Sequence, residues 1–263
     1  MVDDDLAARM LPAGLRFTVW LSRWRPVRNL LIRFSEQEAP GVWGGVLCRK
    51  RYIDDQTRQA VDAGVDAVVI LGAGLDTRGC RLVASAGVPV FEVDLPTNID
   101  FKRSKLHAVF GRIPEHVTLV PVDFEKADLE EALAAQGFRI ENRTLFVWEG
   151  VTQYLTAEGV RATLSSLAKA GAGSRLVFTY VRQDFVDGTA IAGAERIYQR
   201  FRVNDQVWRF GLAPGQVAGL LDEYGWTECE QVGSAELTAT YLEPAGRSIP
   251  VSDIERCVEA EKR

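Results

Sequence analysis

Ala67-Val-Val-Ile-Leu-Gly-Ala-Gly-Leu-Asp-Thr-Arg78 reads as a buried strand, a tight glycine turn and a segment that can start a helix. Such a turn lets backbone approach a nucleotide-like ligand, and a helix N-terminus offers it unpaired N–H groups. Asp94 lies 20 positions beyond Gly74, at the end of the next apolar run, Val88 to Val93. An acid there can accept hydrogen bonds from both hydroxyls of a ribose. Gly72, Gly74 and Asp94 together predict an adenosine-containing cofactor. The third glycine of a dinucleotide fingerprint would stand at position 77, which holds Thr77. That glycine serves close helix–strand packing beside a pyrophosphate. S-adenosyl-L-methionine has no pyrophosphate and tolerates a looser turn, so it is the expected cofactor.

Outward from this stretch, apolar runs alternate with helical patterns. Strands are expected at Ala67–Leu71, Val88–Val93, Val117–Val122, Leu145–Trp148 and Leu176–Val181. Helices are expected at Asp76–Ala86, Pro96–Phe110, Ala127–Gln136 and Thr156–Ala170. This alternation implies an α/β fold, a parallel sheet with helices on both faces. Trp226–Val232 and Leu237–Leu242, joined by Gly-Ser-Ala-Glu, read as a terminal antiparallel hairpin. Five parallel strands plus that hairpin make a Rossmann-like seven-strand sheet of the methyltransferase type, whereas dehydrogenases usually continue with a parallel sixth strand.

Ligands of such sheets sit beyond the carboxyl ends of the strands. The glycine turn follows the first strand and Asp94 the second; Asp123 follows the third and Glu149 the fourth. Each acid has a task on one ligand. Asp94 would hold the ribose diol. Asp123 would accept from the adenine amine while the neighbouring Phe124 packs on the base. Glu149 would face the ammonium of the methionine moiety. Any one of these acids could instead be a helix N-cap.

The joined motifs make the chain similar to the leucine carboxyl methyltransferase family. They are Leu71-Gly-Ala-Gly-Leu-Asp-Thr-Arg78 with Arg81-Leu82, then Phe91-Glu-Val-Asp-Leu-Pro96 with Lys102. Val122-Asp-Phe124, Glu149-Gly-Val151, Tyr154-Leu155 and Arg49-Lys-Arg51-Tyr-Ile-Asp-Asp55 extend the match. The resemblance implies a seven-strand Rossmann-like core and S-adenosylmethionine-dependent methyl transfer. It also implies cofactor contacts at Gly72, Asp94, Asp123 and Glu149. An arginine ahead of the first strand would meet a carboxylate, with Arg49 preferred over Arg51; a guanidinium suits that group through paired hydrogen bonds. Bacterial members resemble methyltransferases of small molecules, which leaves the acceptor open between carboxyl and hydroxyl groups.

At 263 residues and 47% hydrophobic, the chain suits a packed core with an added cap. We divide it into an N-terminal helical cap, 1–60, and a core, 61–263, with a substrate-cap insertion at 182–212. A net charge of −5 gives no general reason to expect nucleic acid as a partner. Cys48, Cys80, Cys229 and Cys257 are scattered without metal spacing, which suits a reducing cytoplasm. No apolar run approaches the roughly 20 residues of an integral membrane span. Oligomeric state is not set by the sequence. One stretch departs from the rest: between Leu6 and Phe34 there is no acid, but there are six arginines. Phe17, Trp20, Leu21 and Trp24, then Val27, Leu30, Leu31 and Phe34, recur at helical spacing around Pro26. These helices read either as a membrane-surface element or as a cap on the core. Short apolar faces and the lack of a lipidation motif favour the cap.

A carboxylate acceptor is ionised at neutral pH and needs no base, whereas a phenol needs one. His107 and His116, the two histidines, lie away from the expected strand ends, which favours a carboxylate. Tyr154, just past the fourth strand, is the candidate catalytic residue, placed to orient an acceptor oxygen. No cluster at the strand ends suits Mg²⁺, so no metal is expected. The expected function is O-methyl transfer to a small molecule. The competing readings are an NAD-dependent oxidoreductase and a non-enzymatic binding protein that keeps the cofactor fold.

Overall fold

Residues 4–123, 125–191 and 193–263 are described by a computed structural model. Strand β1 is Ala67–Leu71, β2 Val90–Asp94, β3 Val117–Pro121, β4 Thr144–Trp148, β5 Arg175–Val181, β6 Trp226–Val232 and β7 Glu255–Lys262. They form one seven-stranded sheet in the order β3-β2-β1-β4-β5-β7-β6. The first five strands are parallel, and β7 runs antiparallel to both β5 and β6. The order reverses between β1 and β4, the switch point at which such sheets bind ligands.

Side chains alternate across the sheet and define its two faces. Ala67, Val69 and Leu71 pack with Phe91, Val93, Phe146 and Trp148 under α6 (Leu129–Ala134) and α7 (Ala157–Leu167). Val68 and Ile70 pack with Val90, Leu145 and Val147 under α4 (Val42–Asp62) and α5 (Pro96–Phe110). On the 21-residue α4, Cys48, Tyr52, Ile53 and Ala60 are buried against this second face. That orientation carries Arg49 and Asp54 towards the end of β1.

The five parallel strands fall where the apolar runs predict them, within two residues at either end. Two expectations need correction. The segment Asp76–Ala86 is not a regular helix but a wide π-type turn at Gly79–Val83 followed by a 3₁₀ turn at Ala84–Ala86. A Cβ at Gly79 would lie 3.0 Å from Glu92 Oε1, so this turn is pressed against β2. The second correction concerns the end of the sheet. Leu237–Leu242 is helical, not a strand. Its two leucines are both buried, five positions apart. The partner of β6 is β7, and a long connection through residues 233–254 replaces the short turn. The antiparallel pair exists, but its second member lies further along the chain and sits inside the sheet.

At the N-terminus, α1 (Asp5–Met10) joins the core through Leu6 and the buried Met10. Helices α2 (Ala13–Leu21) and α3 (Arg25–Glu38) follow. Pro26 occupies the first turn of α3, where its missing N–H costs nothing, and the break comes before it at 22–24. Among the described residues no helix is long and apolar enough to cross a membrane.

Candidate functional site

Three adjoining cavities open along the carboxyl ends of β1, β2 and β4. The first, about 300 Å³, surrounds the glycine turn and is lined by Arg49, Gly72, Gly74, Asp76 and Glu149. The second, about 400 Å³, is lined by Gly72, Asp94, Asn98, Asp123, Tyr154 and Arg209. The third, about 280 Å³, is lined by Val42, Arg49, Gln153, Tyr154, Phe201 and Trp208. Gly150 borders all three, Arg49 borders the first and third, and Tyr154 the second and third.

The glycine turn requires its glycine. Gly72 has φ +68°, and a Cβ there would sit 2.2 Å from Val151 Cγ2. Both the backbone conformation and the space exclude a side chain. Asp94 then ties the turn to β2. Its Oδ2 accepts from Gly74 N–H at 2.6 Å, and its Oδ1 accepts from Leu95 N–H at 2.7 Å and Asn98 Nδ2 at 2.8 Å. The carboxylate is therefore held in one orientation at the cavity wall. Thr77, at the position of the missing third glycine, donates to Asp4 Oδ2 at 2.7 Å and so pins the start of α1 to the turn.

Under the turn lies a network of charges. Arg49 Nε is 2.8 Å from Glu149 Oε1, and its Nη1 pairs with Glu255. Arg78, 2% exposed, places Nε 2.9 Å from Asp54 Oδ1 and Nη1 2.6 Å from Glu149 Oε2, and Nη1 also pairs with Asp76. Arg81 Nη1 reaches Asp54 Oδ2 at 2.8 Å. Burial pushes the Glu149 carboxyl up, but Arg78 and Arg49 more than reverse this and hold it at about 2. Arg78 Nη2 is buried without a hydrogen-bond partner among the described residues.

The residues singled out in the sequence are thus distributed over one continuous site. Arg49, Gly72, Gly74 and Glu149 surround the first cavity; Asp94, Asp123 and Tyr154 line the second. Arg51 points elsewhere: its Nε pairs with Asp55 at 3.0 Å, and it lines a separate cavity with Tyr52 and Tyr241. Asp123 holds Lys126 at 2.7 Å, and that hydrogen bond draws its carboxyl below the usual range. Phe124 lies outside the described residues. His116 contacts the Gly79 carbonyl at 3.0 Å, and His107 is exposed on α5.

Sequence reading missed Arg78, Gln153 and Trp208. Arg78 stands in the opening motif, yet a single arginine carries no sign of its burial. The third cavity is walled by Phe201 and Trp208, stacked at 4.9 Å and 10°. Gln153 Oε1 and Trp208 Nε1 are both buried without a hydrogen-bond partner among the described residues. An apolar cavity with a few unpaired polar atoms is the usual form of a small-molecule site.

Comparison with known proteins agrees with this architecture. The profile of the family described as Leucine carboxyl methyltransferase matches residues 1–168. A Frankia alni protein, provisionally named an S-adenosyl-L-methionine-dependent methyltransferase, is 32% identical over 245 residues, covering 92% of this chain and 80% of its own. A Mycobacterium bovis protein of the same provisional name is 29% identical over 278 residues, covering 97% of this chain and 86% of its own. Among solved structures, a provisionally named methyltransferase from Thermobifida fusca superposes with a TM-score of 0.64 at 14% identity, over 90% of this chain and 88% of that one. The magnesium protoporphyrin IX methyltransferase of Synechocystis, solved with bound S-adenosylhomocysteine, gives 0.54 at 14% identity, over 82% and 84%. At these identities the structures speak for the fold, and the sequence matches for descent. The chain belongs to the leucine carboxyl methyltransferase family.

Proposed function

We propose that this chain is an S-adenosylmethionine-dependent O-methyltransferase whose acceptor is a small, largely apolar molecule carrying a carboxylate or a hydroxyl. The observation that carries the reading is the meeting of three cavities at Gly150, two bordered by the carboxylates of Asp94, Asp123 and Glu149 and the third by the Phe201–Trp208 pair, with Tyr154 between the second and third. The two carboxylate-bordered cavities fit the cofactor. Asp94 presents a fixed carboxylate for the ribose, and Asp123 stands further along the same wall for the adenine amine. Glu149 would take the ammonium. Arg49, which borders the cavity at the glycine turn, would take the carboxylate.

When bound, the cofactor supplies a methyl group on a sulfonium, open to displacement by an oxygen. The chain's own contribution is placement. Apolar walls of Val42, Phe201 and Trp208 hold the acceptor and exclude water. Gln153 and Trp208 offer unpaired polar atoms that fix its orientation. Tyr154 directs the accepting oxygen towards the cofactor cavity. Proximity and alignment alone can supply much of the acceleration of a displacement.

The test is thermal unfolding with S-adenosylhomocysteine, with NADH as control. Ligand at about 100 times its dissociation constant adds roughly 2.7 kcal/mol, a rise of several degrees for a domain of this size. Asp94→Asn keeps the side chain's shape and removes its charge. Hydrogen bonds to a charged group are worth about 1.5–3 kcal/mol, so S-adenosylhomocysteine should bind about 10–100-fold more weakly. Unchanged affinity in this variant would refute the ribose assignment. A midpoint raised by NADH alone would refute the cofactor.

A further inference from the structure

We propose that α2 and α3 form a docking surface for an anionic lipid bilayer, by which this protein binds membranes peripherally. The inference is independent of the methyltransferase reading. It starts from side chains that the fold leaves uncovered. Phe17 is 61% exposed, Trp24 64%, Leu30 69% and Phe34 63%; Leu15, Trp20, Leu31 and Ile32 are exposed as well. A continuous run of chain thus presents aromatic and aliphatic groups to water, whereas soluble monomers keep such patches small. Neither helix is covered by the core: α2 touches α1, and α3 touches the start of α4.

The charges of the same run select the occupant. Arg16, Arg23, Arg25, Arg28 and Arg33 are all exposed, and none of their side chains makes an ion pair or hydrogen bond with a described residue. No acid lies between Leu6 and Phe34, although the whole chain has a net charge of −5. This run therefore carries a net positive charge beside its exposed rings within an acidic chain, and acids resume only at Glu36 and Glu38, in the last turn of α3. A two-fold pairing of copies through this face would set like charges against each other. A nucleic acid would neutralise the arginines but leave Leu15, Leu30, Leu31 and Ile32 in water. A bilayer surface satisfies both: rings and aliphatic groups enter the headgroup boundary, and guanidinium groups pair with anionic headgroups. At 14 residues, α3 is about 21 Å long, too short to cross the ~30 Å hydrocarbon layer, so it lies on the membrane.

The experiment is co-sedimentation of the full chain with vesicles of phosphatidylglycerol and phosphatidylcholine, against vesicles of phosphatidylcholine alone. About tenfold or more additional protein should partition onto the anionic vesicles, and less as salt is raised. Arg25→Gln/Arg28→Gln/Arg33→Gln and Trp20→Ser/Trp24→Ser/Phe34→Ser should each lose about tenfold or more of that binding. Both variants should keep the thermal midpoint of the parent, since these side chains face solvent. Equal binding to neutral vesicles, or none to either, overturns the proposal. So does a concentration-dependent dimer, without vesicle binding, that the Trp20→Ser/Trp24→Ser/Phe34→Ser variant dissolves.

Discussion

Arg78→Met is expected to cost the fold about 3–5 kcal/mol, the usual penalty for removing one partner from a buried ion pair. That is a large share of the ~5–15 kcal/mol that holds a typical domain together. The reason lies in the balance of charge beneath the glycine turn. Asp54 is fully buried, and Asp76 and Glu149 are about nine-tenths buried; all three meet at Arg78. In the variant, Asp54 keeps Arg81 and Glu149 keeps Arg49, but Asp76 loses the one cation paired with it among the described residues. Methionine fills the volume and offers no donor, so the loss is electrostatic. Urea unfolding measures it, and a change below about 1 kcal/mol would show the network to be dispensable. The same network predicts acid lability. Glu149 is held at about 2, against roughly 4.3 for an unfolded glutamate. A carboxyl depressed by folding stabilises above its unfolded value, and that stabilisation is lost as pH falls from about 4.3 towards 2. Its size is about 3 kcal/mol. Glu149→Gln should flatten the pH dependence in that window, and an unchanged slope would assign the acid sensitivity to other groups.

Lys102→Met is the second large effect, at β2 on the same face of the sheet as the glycine turn. Lys102 is 1% exposed and Glu92 0%; Nζ lies 2.7 Å from Glu92 Oε2, off the hydrogen-bonding direction. Burial pushes the Glu92 carboxyl up, and Lys102 works against that. Without the ammonium, Glu92 is a lone charge inside the sheet, and the expected cost at neutral pH is again about 3–5 kcal/mol. Two features distinguish this from simple loss of packing. The cost should shrink as pH falls, because a protonated Glu92 is neutral. And Glu92→Gln/Lys102→Met should recover much of the stability, because paired removal leaves no orphaned charge. A double variant no more stable than Lys102→Met would mean that volume, not charge, is what the pair provides.

The sheet was legible where strands are buried on both faces. Ala67–Leu71 and Leu145–Trp148 are uninterrupted apolar runs, and a parallel strand in the middle of a sheet produces that signal. The acids at the strand ends were legible for the same reason, since a run that stops abruptly at Asp94 or Glu149 marks its own end. Strand β7 was not. Glu255–Lys262 carries Arg256, Glu259, Glu261 and Lys262, and its buried members include the small Cys257 and Ala260. Its charges are matched by partners far away in sequence: Glu255 by Arg49, and Glu259 by Arg175 at 3.3 Å. Leu237–Leu242 reads as a strand from its place after Trp226–Val232 and the short Gly-Ser-Ala-Glu connection, but tertiary packing makes it helical, with Leu237 and Leu242 buried. Of the apolar cavity only the 182–212 segment is marked in the sequence; its other walls come from α4, the turn after β4 and β7, which are far apart in the chain.

The interior position of β7 bears on how the protein is made. Synthesis runs from the N-terminus, and domains begin to fold as they emerge. Strand β6 is complete long before residue 255 exists, yet its sheet neighbour is β7. Until residues 255–262 leave the ribosome, β5 and β6 both present unpaired edges, each a template for pairing with another chain. The waiting edge carries its own protection in the charges of Glu228 and Glu230. Ile254, Glu255 and Cys257 also wall the third cavity, so the nascent chain completes that cavity and its sheet together.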